Sequence, residues 1–266
     1  MSTVSLFDKT AVIVRRDLLT AIRYRTGFLL NAAGAITELA AFYYLSRAVG
    51  PGFRPEGLEY FSFLLVGTGF YTFLLMGVHA FLQTVQEAQQ TGTLEVLMTT
   101  STSPPVLVFL SAMSAFAANT VTLLFYLAAG LLFGAPLHPS LVASLSVFLL
   151  SVIIAVAIGL IAAALQLAIQ KGSAVVWALG SVWFLTGTMF PVQTLPKPLR
   201  DLAQVIPITH SLEGMRLALL EGAPLRGVAH ELLILAVFAM ILVPLSLLFF
   251  SWTLRRARME GTLSFY

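Results

Sequence analysis

The chain has 266 residues, 58% of them hydrophobic and only 10% charged. A soluble domain carries roughly 25% charged residues, so the solvent for most of this chain is lipid. Its net charge of +3 points to Lys and Arg setting membrane orientation rather than gripping nucleic acid, and zero cysteines exclude disulfides and thiolate metal sites.

Residues 5–25 come first. Phe7, Ala11, Val14, Leu18 and Ala21 recur at helical spacing, with Arg15, Arg16, Thr20 and Arg23 elsewhere around the wheel. This is the pattern of an amphipathic helix lying on the membrane interface. The opening lacks the charged–apolar–small order of a cleavable signal, so the first span is expected to direct insertion itself.

A bilayer core about 30 Å thick takes ~20 apolar residues per helix. Six stretches qualify: Gly27–Val49, Leu58–Leu82, Val106–Phe133, Leu141–Ile169, Ala174–Phe190 and Leu232–Leu254. The expected fold is an all-α integral membrane protein of six transmembrane helices, one transmembrane domain over 1–266. Lys9, Arg15, Arg16, Arg23, Arg25, Lys171, Arg255, Arg256 and Arg258 fall on one side; Arg47, Arg54, Lys197, Arg200, Arg216 and Arg226 fall on the other. The cluster before Gly27 and the "RRAR" run after Leu254 place both termini in the cytoplasm.

Within the first span sits Glu38. A charge at the bilayer centre costs ~2.5–3.5 kcal/mol on insertion scales. Glu38 should therefore either line a polar path or hydrogen-bond a neighbouring span. Asn31, three residues before Gly34, marks the same helix as having a face that avoids lipid. Small residues in the fourth and fifth spans (Gly159, Ala162, Ala163, Gly180, Ser181) allow close packing, and the fifth span is the favoured dimer face. Gln166 and His79 are expected only to bond a neighbouring backbone.

Residues 83–104 form the longest polar interruption of the first half, including "VQEAQQTGTLEVLMTTSTSPP" from Val85 to Pro105. The second helix can continue to Gln90, and Gly92 breaks it. Thr93 can cap a short new helix with Glu95 in its first turn. Leu94, Leu97 and Met98 then make an apolar ridge, and Pro104–Pro105 suit the first turn of the third span. The ridge calls for a partner's groove or lipid head groups.

Residues 191–231 form the other long interruption. Pro191 ends the fifth span, Pro198–Val205 can be one helix, and Thr209 can cap another running to Glu221 with Gly222 as its stop. Glu213 and Arg216, three apart, can pair. His210 has no second His or carboxylate at ligand spacing, so a capping or gate hydrogen bond is expected rather than a metal or proton role. No catalytic, cofactor or metal residue is assigned.

The run "QEAQQTGTLEVLMTT" is similar to the cytoplasmic coupling-helix segment of permease subunits in the type-two ABC exporters. The match falls on Glu87, Gly92, Thr93, Leu94, Glu95 and Leu97. A second resemblance lies in "GTMFPVQTLPKPLRDLAQVIPITHSLEGMRLALLEG", at Gly187, Phe190, Pro191, Leu195, Pro196, Pro207, Thr209, His210 and Arg216. Gln86, Gln89 and Gln90 stand where family members carry basic residues, so hydrogen bonding and the leucine ridge would carry the contact.

The resemblance implies a transmembrane permease in the inner (plasma) membrane, pairing with a second copy or paralogue. Each permease would dock on a separate ABC ATPase subunit through residues 83–104, with short helices in 191–231 re-entering the membrane. Phe190, Pro191, Pro196, Pro207, His210 and Arg216 would form an outer gate, and Asn31 and Glu38 would line the path. No Gly-x-x-x-x-Gly-Lys-Ser/Thr phosphate loop occurs in the chain, so ATP and Mg belong to the ATPase. Aromatic residues from Phe42 to Phe73 read as an interfacial belt, or as the sugar-stacking surface that glycan exporters of this family use. An ATPase-independent transporter or channel would want several intramembrane ionisable residues, where Glu38 is the one convincing case. A membrane enzyme would want clustered His, Asp or Glu.

Overall fold

The computed structural model describes residues 25–91, 104–169, 171 and 173–260. These fold as eight helices: α1 (Arg25–Val49), α2 (Tyr60–Gln90), α3 (Pro104–Leu132), α4 (Leu141–Ile169), α5 (Ser173–Ser181), α6 (Lys197–Gln204), α7 (Pro207–Leu219) and α8 (Ala229–Glu260). Single 3₁₀ turns at Pro55–Gly57 and Val192–Thr194 complete the described elements. The helix expected over 5–25, the side chain of Asn31, and Gly92, Thr93, Leu94, Glu95 and Leu97 lie outside the described residues.

Among the described residues, three helices are long and apolar enough to cross a membrane: Tyr60–Gln90, Leu141–Ile169 and Ala229–Ala257. They account for the second, fourth and sixth expected spans. The first is a 25-residue helix carrying Glu38 and Arg47, and the third is apolar over Phe116–Leu132 among its described side chains.

The fifth span departs from expectation. Ala174–Phe190 is helical only through Ser181, and 182–190 run as turns and bends. A nine-residue helix rises about 14 Å, under half of a bilayer core. Local chemistry explains the stop. The hydroxyls of Thr186 and Thr188 both donate to the Trp183 carbonyl at 2.7 Å, competing with the helical ladder. Gly187 then takes φ +79°, open to glycine at little cost.

α2 is the axle. It packs on α3 and α4, α4 packs on α8, and α2 is buried along nearly its whole length. Glycines let its neighbours approach. The Phe116 ring lies where a Gly77 side chain would stand, 2.1 Å from an added Cβ, and Phe81 fills the notch at Gly159 at 2.7 Å. Gly77→Ala is expected to cost about 1–3 kcal/mol through overpacking, read as a lowered unfolding midpoint of the purified protein.

The aromatic residues of α2 serve this packing. Phe61, Phe63, Phe70 and Phe73 are all at most 3% exposed, and Phe73 stacks on Phe148 at 5.2 Å. They form neither an exposed belt nor an open sliding surface in this arrangement. At the far side Tyr71 donates its hydroxyl to the Leu179 carbonyl, fastening α2 to the short α5.

A candidate gate joint around Arg216 and His210

α7 starts at Pro207, whose fixed φ and missing N–H suit a first helical turn. Thr209 is therefore inside the helix rather than its cap, and its hydroxyl donates to the Ala203 carbonyl of α6 at 2.8 Å. The helix ends at Leu219, two residues short of the expected Glu221, and Gly222 follows in a left-handed conformation at φ +66°. α7 packs against α4, α8 and α2, and most of its residues are buried.

Arg216 is only 3% exposed. Its guanidinium lies over the Phe63 ring at 3.5 Å and donates to the carbonyls of Gly187 at 2.6 Å and Thr188 at 3.2 Å. A third, longer contact reaches the Phe63 carbonyl at 3.4 Å. Burial is the main influence on the group and draws its pKa down to about 10. The expected Glu213–Arg216 pair is replaced by these backbone acceptors; the two acids Glu56 and Glu213 act on the guanidinium only as nearby charges.

Arg216 reaches its acceptors only because residue 67 is glycine. A Cβ there would lie 2.2 Å from Arg216 Nη2 and 2.6 Å from the Thr188 oxygen. The second clash is with backbone, which cannot swing aside. Gly67→Ala is thus expected to loosen the α2–α7 contact by about 1–3 kcal/mol, and a normal unfolding midpoint for that variant would contradict the geometry.

Nearly two turns before Arg216 on the same helix, His210 is buried between α6 and α8. Its Nδ1 lies 2.6 Å from Glu231 Oε2, its Nε2 is 3.0 Å from the Gln204 carbonyl, and Phe238 covers the ring. Burial alone would lower its pKa. The bonds to Glu231 and Gln204, with the charges of Glu231 and Glu213, outweigh burial and hold it above the ordinary histidine range. Glu213 is raised, first by burial and then by Glu231 and Glu56. His210, Glu213 and Glu231 each bring one ligand-type atom within 4.8 Å of the others; Glu213 lies three residues along the same helix, and Glu231 is the partner that sequence spacing did not show.

The other expected gate residues divide around this joint. Pro191 is buried and begins the Val192–Thr194 turn, while Phe190 is 49% exposed. Pro196 is exposed and Pro207 half-buried. Gly187 and Thr188, just before Phe190 and Pro191, are thus held to α7 by Arg216.

At the end of α2, Glu87 is exposed. Its carbonyl accepts both the amide and the hydroxyl of Thr91, closing the last turn. Beside it lies a feature that sequence reasoning missed. Gln166 of α4 donates to Gln89 Oε1 at 3.3 Å and accepts from Gln86 Nε2 at 3.4 Å. Gln89 and Gln166 are 2% and 3% exposed. The signal was Gln86 and Gln89, three apart at the end of α2, and Gln166 as a polar residue in the apolar α4. Glu38 is exposed on the single chain.

A family model described as ABC-2 family transporter protein matches residues 39–248, well over half of the chain. No curated protein matches it.

Proposed function

The chain belongs to the ABC-2 transporter family and is a multi-pass membrane subunit of an ABC-type transporter, and from that premise we propose that it is an export permease driven by a separate ATPase. Two copies, or this chain and a paralogue, form the translocation path between them. Residues 83–104 dock on the ATPase, which binds the ATP and Mg. Both termini and this docking segment lie in the cytoplasm of a cell whose inner membrane houses the transmembrane domain. The gate joint faces outward, and its short helices α6 and α7 re-enter the outer leaflet.

One observation supports this division of labour above others. The buried axle α2 runs unbroken from Arg216's binding notch at Gly67 to the glutamine contact beside Glu87. A push on residues 83–104 is thereby delivered by one helix to the joint holding α7. The apolar face of α5, with Trp177 77% exposed, suits cover by the second copy. Glu38, exposed on one chain, suits a path lined from both. The cargo is amphipathic: lipid-linked, glycan or drug-like.

The test is reconstitution. Proteoliposomes holding the permease and its candidate ATPase should move members of a lipid, glycan and drug panel, with cargo-stimulated ATP hydrolysis. Equal transport by the permease alone would overturn the proposal.

A further inference from the structure

We propose that His210 and Glu231 form a buried proton-binding site, in which an imidazolium bridges the Glu231 carboxylate and the Gln204 carbonyl and locks α7 to α6 and α8. This holds whatever the cargo or the energy source. The inference begins with hydrogen-bond accounting. A neutral imidazole has one N–H and one lone pair. Here both ring nitrogens meet oxygens, at 2.6 Å and 3.0 Å. A backbone carbonyl can only accept, so Nε2 must donate. The Nδ1 contact then needs a proton of its own, since a lone pair facing a carboxylate oxygen at that distance is repulsive. One proton more than neutral imidazole plus carboxylate must therefore sit in the contact. A carboxylate at one ring nitrogen and a carbonyl oxygen at the other both favour the cationic ring, which puts that proton on the ring.

The surroundings favour the charged form. From α7 itself come Glu213 and Arg216, the latter drawn off toward carbonyls. From α8, Glu231 has a second oxygen 4.0 Å from the exposed His230. α4 carries no titratable side chain over Leu141–Ile169, and α2 offers the joint a ring, a carbonyl and a glycine. From α6 come the Gln204 carbonyl and an exposed Asp201, with Arg200 turned onto the Gln193 and Leu195 carbonyls. Glu56 of the Pro55–Gly57 turn adds a further negative charge near Glu213. The field around the ring is acidic, and an imidazolium relieves it. A divalent metal could use the same three side chains only by replacing the proton between Nδ1 and Glu231.

What this site does follows from its place. It ties the start of α8 to the helix that carries Arg216, so removing the proton frees one end of the gate joint. With a folded-state pKa above the unfolded value, its stabilisation is complete below about pH 6.5 and is lost as pH rises through the folded value. The joint is an alkaline-released latch.

Ring-¹⁵N histidine NMR on the full-length protein in nanodiscs tests this. At pH 8 one of the four histidines should show both ring nitrogens protonated, and Glu231→Gln should abolish that signature. All four rings neutral at pH 8, or the signature surviving in Glu231→Gln, would overturn the assignment. So would stoichiometric zinc in protein prepared without chelator, with one ring metal-bound. As a second measurement, the wild-type melting temperature should fall by about 3–6 °C between pH 6 and pH 9, and His210→Gln should remove that dependence. An identical pH profile in the variant would also count against the latch.

Discussion

Arg216→Met should lower the melting temperature of the purified protein by about 6–15 °C, the equivalent of ~3–5 kcal/mol. Methionine matches the length of the stem but offers no donor. The Gly187 and Thr188 carbonyls, bonded by Nη2 in the native joint, would stay buried without partners, at about 1–3 kcal/mol each. The stacking contact on Phe63 would go as well. Against these losses stands the relief of no longer burying a charge, which keeps the sum from growing further. Arg216→Lys separates the terms, because an ammonium keeps the charge but cannot reach two carbonyls while lying flat on a ring. It should fall between wild type and Arg216→Met. The same joint predicts non-additivity: Gly67→Ala should cost clearly less in the Arg216→Met background, since one of its two clashes has been removed. Arg216→Met melting within about 2 °C of wild type would show that the guanidinium does not hold the joint.

How much of this was legible in the chain depends on the kind of signal. Long apolar runs gave α2, α4 and α8 close to their observed ends, because in lipid every backbone group must be satisfied within its own helix. The same logic overran at the fifth span. Its apolarity continues through Phe190, but Thr186, Gly187 and Thr188 divert the backbone, and Arg216 from another helix takes the carbonyls released. Hydropathy cannot register that exchange. Arg216 itself was visible as a charge in a greasy helix, yet the nearest acid in sequence, Glu213, was the wrong partner. Helical spacing shows which residues can touch, whereas burial decides which contact is worth making. His210 was set aside for want of a partner at ligand spacing although Glu213 stands three residues on, and the carboxylate that bonds it, Glu231, lies 21 residues further along. A lone acid in the first turn of the last apolar helix was the clue, and only the packing of α7 on α8 gave it a meaning.

The proposed docking segment yields the other large effect, and one change within it and one beside it should fail in different ways. Changing Leu94, Glu95 and Leu97 together to Ala removes most of the apolar ridge that would enter the ATPase. Burying one leucine is worth about 1.5–3 kcal/mol, so losing two should weaken docking at least a hundredfold, and the ATPase should no longer co-purify in detergent. Gln166→Leu acts one step further along. It leaves the ridge untouched but removes the contact through which α4 follows the end of α2, and it strands the buried Gln89 amide at about 1–3 kcal/mol. Co-purification should survive in that variant, while transport per ATP hydrolysed falls. The contrast separates gripping from transmission: on the proposed function α2 would be held by the ATPase at residues 83–104 and would also carry α4 with it. An ATPase that binds the triple variant as tightly as the wild type would remove the docking role of the ridge. Unaltered coupling in Gln166→Leu would show that α2 moves α4 through its apolar packing alone.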